Sequence, residues 1–68
     1  GDMASLLEDE WLTVKAVARI LNVPAQEIYA LISAGQLRAI RIGRAIRIPR
    51  RFLEEFVQAR AEAPERDS

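Results

Sequence analysis

At 68 residues the chain holds one small domain, whose core is necessarily marginal. It has no cysteine and no histidine, which removes disulfides, thiolate metal sites, and the commonest general base and metal ligand. Its ten cations and ten anions cancel to zero net charge, and no apolar run approaches the roughly 20 residues that span a bilayer.

The zero hides a segregation. Residues 11–53 carry eight cations against Glu27 alone, a balance of +7. Residues 1–10 carry −4 and residues 54–68 carry −3. A basic middle between acidic ends points to a polyanionic partner for the middle. No segment reads as a signal peptide, so a cytoplasmic setting is expected.

Residues 1–10 read as an acidic leader, with Met3 the expected natural start after Gly1-Asp2. Ser5-Leu6-Leu7-Glu8 fits a capping box, which allows a short helical turn. Glu8-Asp9-Glu10 is expected to be solvated. Trp11 suits a core lid better than a stacking surface. Thr13 is a good N-cap, and Val14 to Leu21 follows with helical spacing. Val17, Ala18 and Leu21 form its inner face, and Lys15 and Arg19 share the outer one.

Asn22-Val23-Pro24 breaks the pattern. Asn22 suits a turn or a left-handed cap, and Pro24 suits a helix start. Ala25 to Ala34 predicts a second helix closed by Gly35, with Ile28, Leu31 and Ile32 inward. Gln26, Glu27, Tyr29, Ala30 and Ser33 point outward. Two short helices joined this tightly fit a helix-turn-helix.

Residues 37–51 alternate apolar and basic side chains around Gly43, as a hairpin does. Pairing Ile40 with Ile48, Arg41 with Arg47 and Ile42 with Ile46 keeps the isoleucines on one face. That register needs a three-residue loop, Gly43-Arg44-Ala45, or a tighter turn with a bulge. A two-residue Gly43-Arg44 loop would set Ile against Arg at every pair. The expected Arg41/Arg47 pair is self-repelling, which an anionic partner would explain.

Pro49-Arg50-Arg51 opens a third helix to about Ala61, with Phe52, Leu53, Phe56 and Val57 as its stripe. Two readings of Arg50 and Arg51 stay open. They pair with Glu54 and Glu55 at i,i+4, or with the helix N-terminus they hold a phosphate. Residues 11–61 form the domain, and 62–68 a tail expected to be disordered. The expected order is α-α-β-β-α, in an α+β, mainly helical fold. Its core is Leu12, Val17, Ala18, Leu21, Val23, Ile28, Leu31, Ile32, Leu37, Ile40, Ile42, Ile46, Ile48, Leu53, Phe56 and Val57.

Trp11-Leu12-Thr13-Val14 through Ala18-Arg19-Ile20-Leu21-Asn22-Val23 resembles the opening helix of excisionase-type, MerR-like helix-turn-helix domains. Ile28-Tyr29 through Leu31-Ile32-Ser33-Ala34-Gly35-Gln36-Leu37 resembles their second helix and its exit. Arg41-Ile42-Gly43-Arg44 through Arg47-Ile48-Pro49 resembles their wing, and Leu53-Glu54-Glu55-Phe56 their closing helix. The resemblance covers residues 11–58. It implies a winged helix-turn-helix that binds double-stranded DNA, with helix two in the major groove and the wing on the backbone or minor groove.

It further implies site-specific excision beside an integrase, with neighbouring copies side by side on bent DNA and no chemistry of the protein's own. A small transcriptional regulator is the nearest alternative, and a protein-interaction module using the helix-turn-helix surface is another. No catalytic constellation, metal site, cofactor or small-molecule ligand is expected, and no membrane partner. The resemblance makes Gln26, Glu27, Tyr29, Ala30 and Ser33 the base-reading set. Gln26 suits adenine and Glu27 suits cytosine N4. Arg38, Arg41, Arg44, Arg47, Arg50 and Arg51 are the wing and backbone set, with Lys15 and Arg19 as weaker contacts. The second helix lacks the Arg or Lys such domains often carry there, so affinity is expected to rest on the wing and on Arg50 and Arg51. A bacterial or phage-infected cell, at the nucleoid, is the implied setting.

Overall fold

The computed structural model describes residues 6–62. The proposed start at Met3, Ser5 of the capping box, and the tail beyond Glu62 lie outside the described residues. Within them, Leu6 and Leu7 are helical. Strand β1 (Trp11–Thr13) leads directly into helix α1 (Val14–Leu21), and helix α2 (Ala25–Ser33) follows. Strands β2 (Ile40–Ile42) and β3 (Ala45–Pro49) form the wing, and helix α3 (Arg50–Glu62) closes the domain. The architecture is a winged helix-turn-helix, mainly helical.

Local chemistry accounts for the boundaries. Thr13 Oγ1 accepts the Ala16 N–H at 3.0 Å and starts α1. Asn22 closes it at φ 59°, with the Val23 N–H on Ala18 O at 3.0 Å. Pro24 precedes α2, where a missing N–H costs nothing. Gly35 at φ 78° ends α2, and the Gln36 N–H reaches back to Leu31 O at 2.9 Å. Both exits follow the Schellman pattern, which lets the chain reverse within three residues.

One strand was not foreseen. β1 pairs antiparallel with β3 through Trp11↔Pro49, Leu12↔Ile48 and Thr13↔Arg47, so the sheet order is β1-β3-β2. Three residues are too few to show an alternation, and the pairing spans the whole helix-turn-helix.

The hairpin register also differs from expectation. Ile40 faces Arg47, Arg41 faces Ile46 and Ile42 faces Ala45. The loop is the two-residue Gly43-Arg44. Gly43 takes φ 60° and Arg44 is not left-handed, as a type II′ turn requires. Turn geometry therefore outweighs like-with-like pairing. Arg41 and Arg47 are not cross-strand partners, so the argument from their repulsion does not hold. On β3, Ile46 and Ile48 share a face with Leu12, while Ile42 falls on the opposite one and is 56% exposed.

The buried core is Leu12, Val14, Val17, Ala18, Ile28, Leu37, Ile48, Phe52 and Leu53. Leu21, Leu31, Ile32, Ile40, Ile46 and Phe56 pack half-buried around it. Val23, Ile42 and Val57, expected inside, are exposed. Val14 and Phe52 take interior places instead, Phe52 beneath Arg38.

The leader is only partly a solvated run: Glu8 is exposed, while Asp9 and Glu10 bind the start of α3. Asp9 Oδ2 accepts the Arg51 N–H at 2.8 Å and Oδ1 accepts the Glu10 N–H at 2.9 Å. The Arg50 N–H donates to Glu10 O at 2.8 Å. Trp11 Nε1–H donates to Leu6 O at 3.2 Å, tying the ring to the leader. Asp9 thus caps α3 from 42 residues away in sequence.

Candidate nucleic-acid interface

The groups that could meet a polyanion converge where three elements join. Thr13, Val14 and Lys15 from the start of α1, Tyr29 from α2, and Arg44, Ala45, Ile46 and Arg47 from the wing line one concavity of about 400 Å³. No acidic residue lines it. β3 brings Arg47 there through the Thr13↔Arg47 pairing, and the turn brings Arg44. The first turn of α1 contains no acidic residue, so the positive end of its dipole adds to Lys15, Arg44 and Arg47.

Each side chain is held differently. Arg47 is half-buried and its Nη1 donates to Ile46 O at 2.9 Å, which fixes the head at the rim. Lys15, Arg44 and Arg41 are exposed. Tyr29 is 51% exposed, standing between α1 and the wing rather than packed away. The concavity can hold an anion with two or three cationic groups and one hydroxyl donor, a set that suits a phosphate oxygen.

Helix α2 carries the base-reading candidates beside it. Gln26, Glu27, Tyr29, Ala30 and Ser33 are all exposed, while Ile28 is fully buried and fixes which side turns out. The outward face has amide, carboxylate and hydroxyl groups and no cation, so it can hydrogen-bond base edges and adds little attraction for phosphate. Arg19 is exposed near the far end of α1, outside this concavity.

Two arginines of the expected set are occupied elsewhere, and a third lends its backbone to a helix cap. Arg38 lies 4.2 Å above the Phe52 ring and 3.4 Å from Glu55 Oε1. Arg50 pairs with Glu10 at 3.2 Å and with Glu54 at 3.4 Å. The Arg51 N–H is taken by Asp9, so the α3 N-terminus already holds a carboxylate. Of the two readings of Arg50, the i,i+4 pair is the one present. Arg51 makes no ion pair with Glu55 among the described residues.

Sequence reasoning missed the part played by Thr13 and Val14. Lys15 directly after an N-cap was the available signal, but the strand pairing that brings the wing to it was not visible.

A family model described as a helix-turn-helix domain matches residues 11–61. A "Probable excisionase" of Saccharopolyspora erythraea is 38% identical over 45 residues, which is 66% of this chain and 46% of that protein. The chain therefore spans about half the length of this curated relative. No solved structure matches it.

Proposed function

The chain belongs to the excisionase-type helix-turn-helix family, and on that premise we propose that it binds double-stranded DNA near an attachment site and helps an integrase run in the direction of excision. Helix α2 enters the major groove. Gln26, Glu27, Ala30 and Ser33 meet base edges, and Tyr29 and Lys15 meet the phosphates flanking the groove. Arg44 and Arg47, with Arg41 behind them, follow the backbone into the adjacent minor groove. Copies bind side by side and bend the DNA, the protein doing no chemistry itself. Its place is the nucleoid of a bacterial or phage-infected cell.

The observation that carries this reading is the acid-free concavity shared by Lys15, Tyr29, Arg44 and Arg47 beside a reading face without cations. Arg38 and Arg50 fall out of the contact set, since their side chains pair within the domain. The test has two stages. Retarded migration of short duplexes shows whether the chain binds DNA. Recombination between paired attachment sites, with integrase present and this protein added or withheld, shows excision. No retardation at low salt removes the reading, and unchanged recombination removes its excision part.

A further inference from the structure

Leu7 is 74% exposed, more than any other large apolar side chain described. It does not hang loose. The segment around it is pinned by Trp11 to Leu6, by Asp9 to Arg51 and by Glu10 to Arg50. Asp9 is taken up by backbone N–H groups and Glu10 by Arg50, whereas Glu8 makes neither a hydrogen bond nor an ion pair among the described residues. The leader therefore presents a fixed apolar knob followed by a free carboxylate.

The matching surface lies on the side of α3. A groove of about 510 Å³ is lined by Phe56, Ala59 and the edge of buried Phe52, with Arg38, Arg60 and Glu55 around it. Arg38 lies 4.2 Å over Phe52 and Arg60 4.9 Å over Phe56. Arg60 is steadied by Gln36 Oε1 at 2.7 Å and Arg38 by Glu55 at 3.4 Å. A guanidinium has five N–H donors, so both keep donors for another carboxylate. Aromatic stacking holds them in place beforehand, which lowers the cost of binding one.

We propose that this groove receives Leu7 and Glu8 of a second copy of the chain, Leu7 on its apolar lining and Glu8 between Arg38 and Arg60. Knob and groove share no residue, so the contact can join successive copies head-to-tail. The groove also shares no residue with the Lys15–Arg47 concavity, so both can be filled together. The proposal deepens the DNA-binding reading by naming what joins neighbouring copies, and rests on it for the effect on DNA.

The test reads one-site and two-site duplexes with the parent, Glu8→Arg, Leu7→Ser, Arg38→Glu, and the Glu8→Arg/Arg38→Glu double. The parent should bind the second site roughly tenfold more tightly than the first. Each single substitution should abolish that gain and leave one-site affinity unchanged, and the double should recover much of it. Full cooperativity in the single variants, or no recovery in the double, overturns the contact. Loss of one-site affinity in Arg38→Glu also overturns it, by placing Arg38 on DNA. A dilution series without DNA keeps the two readings separable. Amide signals of Leu7, Arg38 and Phe56 should move with protein concentration in the parent and stay still in Glu8→Arg. Signals that stay still in the parent overturn the contact even if DNA binding holds.

Discussion

Arg44 occupies the tip of the wing, on the turn that Gly43 makes possible. An arginine on so narrow a projection is drawn to narrow A·T-rich minor grooves, whose negative potential is enhanced. Arg44→Ala should weaken binding more on A·T-rich flanks than on G·C-rich ones, with an unchanged melting temperature. Gln26→Ala should instead shift base preference, by about 1–3 kcal/mol at one position. Affinities on probes with one core and different flanks separate the two, and equal losses on both flanks would detach the wing from the minor groove. Asp9 acts within the domain. Its carboxylate caps α3, so Asp9→Ala should cost about 1 kcal/mol in a denaturant titration. An unchanged midpoint would show the cap contributes nothing.

At the scale of elements, local pattern and long-range pairing had unequal visibility. The two helices of the helix-turn-helix were legible because Thr13, Asn22, Pro24 and Gly35 mark their ends in sequence. The wing was legible as a hairpin and misread in register, since alternation alone does not say which residues of two strands face each other. Gly43-Arg44 decided it, as a glycine at the first position of a two-residue turn relieves the strain that other residues would carry. β1 and the leader cap were not legible, because each depends on a partner more than 30 residues away. The register has a direct stability test. Ile42→Thr should change stability by no more than about 0.5 kcal/mol, as a surface substitution does. Ile28→Ala, at a fully buried site, should cost about 2–5 kcal/mol. A large loss at Ile42 would restore the three-residue loop. Of the candidate site, the basic wing was legible from charge alone, whereas the diversion of Arg38 and Arg50 was not, their acidic partners being 4 to 40 residues distant.

For the whole molecule, neutrality and the proposed DNA binding are reconciled by where the charges go. Acidic groups from both ends of the domain neutralise Arg38 and Arg50 on the side of α3. The wing and the start of α1 keep their cations without acidic neighbours. A protein with no net charge can therefore present one face to a polyanion and avoid indiscriminate attraction over the rest of its surface. The central claim is that this one face contacts phosphate, and a salt series measures it most directly. With Lys15, Arg41, Arg44 and Arg47 in contact, log affinity against log salt should fall with a slope of roughly −3 to −4 per bound copy. Lys15→Ala and Arg47→Ala should each make that slope shallower by about 0.9, while Arg50→Ala leaves it unchanged. A flat salt response, or a slope that responds to Arg50 and not to Lys15 or Arg47, would contradict the account.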